Sequence, residues 1–224
     1  MPSRAHLDIS RMMKRGRSWS GRERHCVYLN LGRGKDGRLS RFANVSAVSG
    51  IDYPEDGRAL CLTDWDHDGD LDFWLSNRTA PQLRFLRNDA SRAGRFLALR
   101  LEGKKGNRDA VGARVEVAVP GREVPFLKTV RAGHGYLAQS SKELVFGLGE
   151  FAGEVQVTVR WPGGGVQVIE RLGPDARYAV AEGEDPVPWK RPGIELALRP
   201  SPPGTGAASE GVRVPMVTLL KVPA

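Results

Sequence analysis

The stretch Asp64-Trp65-Asp66-His67-Asp68-Gly69-Asp70-Leu71-Asp72 constrains this chain more than any other. It places an aspartate at loop positions 1, 3, 5, 7 and 9, with a glycine at position 6. Carboxylates this close repel one another unless a cation gathers them, and Ca2+ takes roughly six to eight oxygens at about 2.3–2.6 Å. The expected ligands are the side chains of Asp64, Asp66, Asp68 and Asp72 and the backbone carbonyl of Asp70. Gly69 allows the sharp turn around the ion. Aspartate and glycine also favour solvated turns, but a turn alone does not call for five alternating aspartates.

The flanks decide which kind of loop this is. An EF-hand needs a bidentate Glu at loop position 12 between two helices. Position 12 here is Leu75, and the flanks read as strands: Ala59-Leu60-Cys61-Leu62 enters and Leu71-Asp72-Phe73-Trp74-Leu75 leaves. Aliphatic and aromatic runs of this kind mark strands, so the spacing predicts a calcium hairpin.

Composition bounds the remainder. A length of 224 residues leaves room for one or two domains. No run of 18 apolar residues is present, so no membrane span is expected. Residues 1–21 are polar and basic, so no secretory signal is expected in them. The two cysteines, Cys26 and Cys61, sit in strand-like runs and are expected to be buried free thiols. The net charge is +8, and residues 1–50 carry all of the excess, with 11 Lys and Arg against three acids. The excess therefore belongs to the N-terminal part rather than to the fold. A basic arm can contact polyanions, yet no basic stripe follows it, so nucleic acid is not the expected partner.

The chain reads as nearly all β. His25–Gly32, Phe42–Ser46 and Gln82–Asn88 are short extended runs that, with the two strands of the hairpin, suggest propeller blade material. Texture changes near 89–94, taken as a domain boundary. Beyond it Leu97, Leu99 and Leu101 share one face, as do Val115, Val117 and Val119, and Val155, Val157, Val159 and Trp161. Period-2 patterning marks half-buried strands. Pro162-Gly163-Gly164-Gly165 closes a hairpin onto Val166-Gln167-Val168, and Leu144–Phe146 and Tyr178–Val180 add strands. The expected fold is all-β: one or more partial β-propeller blades with a calcium hairpin, then an antiparallel β-sandwich or barrel-like domain. The divisions are a basic N-terminal segment (1–24), the blade (25–88), the second β domain (89–183) and a Pro-rich tail (184–224). Val212–Val222 regains apolar character and reads as an isolated strand.

Laid out in this way, the chain resembles an FG-GAP (VCBS-type) repeat followed by an ASPIC/UnbV domain. Tyr28-Leu29-Asn30, Phe42-x-x-Val45, the DxDxDGDLD run and Asn77 match the repeat. Four blocks match the domain in order: Asn107–Val115, Arg131–Ser140, Phe146–Gly149 and Trp161–Gly164. The resemblance covers about residues 25–182. It implies a calcium-bearing blade joined to a β module of extracellular or periplasmic bacterial binding and adhesion proteins. It assigns metal roles to Asp64, Asp66, Asp68, Asp70 and Asp72 and no catalytic role. A closed propeller has roughly four to eight blades, so the chain is expected to be the C-terminal piece of a longer ASPIC/UnbV protein, a subunit whose propeller a partner completes, or a degenerate copy.

Outside the loop, Asn107–Val115 reads as a turn feeding a strand, and His134-Gly135-Tyr136 as a Gly-rich loop with a partly packed Tyr. Trp161 reads as core, and Trp65 and His67 as pointing away from the ion. Asn44-Val45-Ser46 and Asn77-Arg78-Thr79 fit the glycosylation pattern.

The leading functional reading is a non-enzymatic, calcium-stabilised module for a protein or glycan partner. One alternative is a metal-dependent hydrolase using the aspartates, as Asp64-x-Asp66 after an apolar strand resembles the nucleophile loop of haloacid-dehalogenase-type phosphatases. That loop wants Thr or Val where Asp68 stands, in a βαβ frame that this pattern lacks. The other alternative is polyanion binding by residues 1–24.

Overall fold

Alternating apolar side chains can bury one face of a strand only if a second layer covers them. Here that layer is a second sheet. The computed structural model describes residues 11, 12, 15, 22–32, 41–88 and 94–190. The basic segment 1–24 falls largely outside the described residues, and the boundary at 89–93 and the tail from 191, with Val212–Val222, fall wholly outside them.

Among the described residues the main elements follow in order: β1 (Tyr28–Asn30), β2 (Phe42–Asn44), α1 (Ser46–Ser49), β3 (Gly57–Thr63), β4 (Asp72–Asn77) and β5 (Leu83–Leu86). Then come β6 (Arg95–Glu102), β7 (Arg114–Ala118), β8 (Phe126–Thr129), β9 (Leu144–Gly149), β10 (Val155–Arg160), β11 (Val166–Leu172), β12 (Ala176–Ala181) and β13 (Val187–Pro188). No described helix is long and apolar enough to cross a membrane.

Two four-stranded sheets, in the orders β11-β10-β7-β8 and β13-β12-β6-β9, form a sandwich. Its core is filled by Leu97, Leu99 and Leu101, by Val115 and Val117, and by Val155, Val157 and Val159, with Phe146, Trp161 and Val180 among them. These are the residues the alternation picks out. Pairing is antiparallel except between β6 and β12, which run parallel with Leu97 opposite Ala176 and Leu101 opposite Val180. The expectation of a wholly antiparallel sandwich is corrected at that pair. β12 reaches β6 after the chain has crossed to the other sheet and back, and such a return can insert a strand in either direction.

The Pro162–Gly165 turn closes β10 onto β11 as expected, with Trp161 N donating to Gly165 O at 2.8 Å. Trp161 is buried, and its Nε1 donates to Gln167 Oε1. β13 pairs with β12, so residues 187 and 188, within the stretch read as Pro-rich tail, extend the sheet.

The N-terminal part is a three-stranded meander, β3-β4-β5, and a separate two-stranded ribbon, β1-β2. Its strands are shorter than the expected runs: residues 25–27 lie before β1, and α1 occupies 46–49. Its apolar core is small, with Ile51, Leu75 and Leu86 buried and Val27, Tyr53 and Phe73 packed on them. A polar cluster supplements it. The Arg84 guanidinium pairs with the Glu55 carboxylate, Asn77 Nδ2 donates to Glu55 at 3.0 Å, and His25 Nε2 meets Asn77 Oδ1 at 3.0 Å. Asn77 is therefore enclosed and bonded, which removes it as a glycosylation acceptor. Of the cysteines, Cys26 is exposed and Cys61 half-buried, both free, correcting the expectation of buried thiols. Cys26 lies just before β1, and the β1-β2 ribbon that follows it is itself largely exposed.

A candidate metal centre and the cleft beside it

Every residue of β6 from Phe96 to Leu99 is buried, so both faces of the strand are covered. The sandwich accounts for Leu97 and Leu99. Phe96 and Ala98 face the other way, with Val145 of β9, and Leu71 packs on them. Leu71 belongs to the aspartate loop, so the meander docks its loop on the outer face of the sandwich.

The loop spans the end of the β3–β4 hairpin, whose last pair is Thr63 with Asp72. Asp64 and Asp72 thus start and finish it side by side, both buried. Asp72 Oδ2 accepts from Trp65 N at 2.7 Å and Oδ1 from Asn88 N at 2.8 Å, tying the loop to the end of β5. Asp64 Oδ2 accepts from Gly69 N at 3.0 Å. Gly69 lies against the Phe96 ring with φ +101°, and a Cβ there would enter the ring. Both the left-handed backbone and the close approach require glycine. His67 also takes a positive φ, 64°, a region His tolerates better than most residues.

Oxygens of Asp64, Asp66 and Asp72 lie within 4.8 Å of one another. Asp68 instead turns Oδ1 onto the backbone N of Asp70 at 2.9 Å. Of the five aspartates singled out in the sequence, three converge, while Asp68 and Asp70 shape the loop beside them. Partial desolvation within the loop, reinforced by the charges of Asp68 and Asp72, pushes the carboxyl of the otherwise exposed Asp66 above the usual carboxylate range. Asp64 Oδ1 is buried without a hydrogen-bond donor. A buried carboxylate oxygen in that state is costly, and a cation held by Asp64, Asp66 and Asp72 would satisfy it, so the donor set fits a hard metal ion.

Sequence reasoning missed the other partner of Asp64. Arg177, on the outer face of β12, gives Nη2 to Asp64 Oδ2 and Nη1 to Glu143. All three side chains are largely buried, and Arg177 Cζ lies 5.7 Å from the Phe96 ring centre. No local pattern announces a pair 113 positions apart. A second tie lies along the free edge of β3, where Ser141 N donates to Leu62 O and Leu62 N to Ser140 Oγ.

Between meander and sandwich lies a cleft of about 670 Å3. Trp65 and His67, the loop residues expected to point away from the ion, line it with Trp74, Arg100, Lys142 and Trp189. Trp65 is 50% exposed and leans on Trp74 and Phe85 at centroid distances of 5.4 and 5.7 Å. Arg100 Cζ stands 5.0 Å from the centre of the Trp189 ring.

Two other sequence blocks take no part in the aspartate cluster, although Asp109 of the first lines the cleft. Asn107–Val115 makes a turn, with Ala110 N bonded to Asn107 O and Gly112 at φ +96°, leading into β7. Tyr136 is 70% exposed, correcting the expected partial packing. Its loop closes on itself through His134 N and Ala138 O, which leaves the ring in solvent.

No curated protein matches the chain. The family model described as ASPIC and UnbV matches residues 103–187. That span starts just after β6, the strand at the centre of its sheet, and ends in β13. Residues 103–187, which hold β7 to β12 of the sandwich, are thus similar to the ASPIC and UnbV family.

Proposed function

We propose that the chain is a non-enzymatic binding module in which Ca2+, held by Asp64, Asp66 and Asp72, fixes an FG-GAP (VCBS-type) blade against the ASPIC/UnbV sandwich. The observation that carries this reading is the buried, donorless Asp64 Oδ1 at the point where three carboxylates converge. Asp68 and the Asp70 carbonyl complete the ligand set expected from the sequence once the ion draws the loop in. The antiparallel meander with the acidic hairpin at its β3–β4 end supports the blade assignment. Three converging carboxylates, one of them shared with Arg177, suit the weak sites of extracellular modules, with Kd about 10⁻⁴–10⁻³ M. This supports an extracellular or periplasmic location, with a protein or glycan partner.

The hydrolase alternative needs Asp64 as a free nucleophile, whereas Asp64 is buried and paired with Arg177. The test of the module is thermal melting in Ca2+ and in chelator. An ion that binds only the folded state stabilises it by about 2.7 kcal/mol at a hundredfold excess over Kd. The expected result is a higher melting temperature in Ca2+, lost in Asp66→Ala, whose side chain is exposed and whose removal leaves the fold intact. Equal melting temperatures in chelator and in about 0.1 M Ca2+, a hundredfold excess over a millimolar Kd, at matched ionic strength would overturn the reading.

A further inference from the structure

We propose that the cleft between blade and sandwich binds a neutral oligosaccharide, stacked on Trp65 and Trp189. The inference rests on the proposed module, since the loop that carries Trp65 and His67 is the one the cation would hold.

Volume sets the scale. At about 670 Å3 the cleft falls within the roughly 300–1,000 Å3 of small-molecule sites. That is suited to a short run of sugar rings rather than to a folded partner.

The aromatic lining sets the chemistry. Trp65 is half-exposed, yet its ring is propped by Trp74 and Phe85, which themselves stack at 4.6 Å. Trp189 is braced by Arg100 and His67, the latter at 6.2 Å. A solvent-facing indole costs the fold apolar exposure, and one already held in place loses little entropy on binding. Such faces accept the C–H side of a pyranose.

The polar lining decides the charge of the ligand. The lining carries the carboxylates of Asp64, Asp109 and Glu143 and the cations of Arg100 and Lys142, and Arg177 behind Asp64 and Glu143 balances the charge. Lys142 is paired with Asp109, and Arg177 with Asp64 and Glu143. A phosphate or sulfate would face three carboxylates, with Lys142 and Arg177 already paired and the Arg100 guanidinium set over the Trp189 ring. A neutral polyol can instead bridge these fixed donors and acceptors. Planar carboxylate, guanidinium and the Gln139 amide at the rim each present two polar atoms, the spacing needed for neighbouring hydroxyls.

The test uses the full chain in Ca2+ and a panel of neutral oligosaccharides: gluco-, manno-, galacto-, xylo- and chito-oligomers. Binding is followed by calorimetry and tryptophan fluorescence. The expected result is saturable binding of at least one, insensitive to salt between about 0.05 and 0.5 M. Trp65→Ala and Trp189→Ala should each weaken it by about tenfold or more while keeping the Ca2+-dependent melting temperature. If no neutral oligosaccharide binds a protein whose melting temperature still rises with Ca2+, the cleft proposal is overturned and the metal reading stands. Binding that both tryptophan variants retain, or binding only of sulfated or uronic glycans that salt abolishes, also overturns it. Tryptophan-dependent sugar binding without any response to Ca2+ would support the cleft and remove the metal reading alone.

Discussion

Arg177 carries more of this structure than any other charged residue. Its guanidinium is buried between Asp64 of the loop and Glu143 at the start of β9, and stands over Phe96. Removing one partner of a buried ion pair leaves an uncompensated charge, which costs about 3–5 kcal/mol. We therefore expect Arg177→Met to lose stability of that order in urea melts run in chelator. Ca2+ should restore part of the loss, because it supplies a counter-charge to Asp64 but not to Glu143. A loss that is equal with and without Ca2+ would mean that the ion does not reach Asp64.

The two thiols test packing at the same scale. Cys26 is exposed, while burial pushes the Cys61 thiol above its ordinary pKa. Alkylation needs the thiolate, and a raised pKa keeps Cys61 in the thiol form as pH climbs. Pulse labelling read by mass spectrometry should modify Cys26 first at pH about 8, with Cys61 following only at higher pH. Equal labelling of both at pH 8 would contradict the docked position of the β3 edge, where Cys61 Sγ meets the Gln139 carbonyl at 3.0 Å.

Among the elements, the β3–β4 hairpin depends most on what lies outside it. Its last pair is Thr63 with Asp72, and one edge is capped by Ser140 and Ser141 of the sandwich. Backbone amides open locally where few apolar contacts hold them. Chelating the ion should speed hydrogen exchange at the loop amides of Trp65 and Gly69 and along β3 and β4. The amides of β7 and β10 should be unaffected. Exchange that accelerates uniformly would instead point to one cooperative unit.

The same contrast explains what the sequence revealed. β10 was legible because Val155, Val157 and Val159 fall on one face at a strict period of two, and the loop because its aspartates are local. β8 was not, because Phe126–Thr129 is an edge strand with little burial and so little pattern. β13 was hidden by Pro186 and Pro188, which read as linker although an edge strand admits proline. Arg177, Glu143 and Trp189 complete the site and the cleft from far along the chain. Nothing in their own neighbourhoods marks them, since their partners are set by which face of β6 the loop covers.

At the scale of the whole molecule, stability is divided unevenly. The sandwich buries a continuous apolar core that includes residues from β6, β7 and β9 to β12. The meander buries only Ile51, Leu75 and Leu86, and depends on the Glu55–Arg84 pair, on the Leu71 contact and on Arg177. A core that small does not support independent folding. Unfolding is thus expected in two steps, with the meander first. Near-ultraviolet dichroism of the Trp65–Trp74–Phe85 cluster should fall in the first step, and far-ultraviolet dichroism mainly in the second. If the proposed site holds Ca2+, the ion should raise the first midpoint and leave the second where it is, because that site lies within the loop. A chain lacking residues 1–88 should keep the second transition. It should also bind a hydrophobic dye at the uncovered patch of Phe96, Ala98 and Val145, since an exposed apolar face of that kind is otherwise found at interaction sites. A single transition that Ca2+ shifts as a whole would show that the meander and the sandwich melt together. Arg177 would then be a strut of the sandwich itself rather than the joint between its outer face and the metal loop.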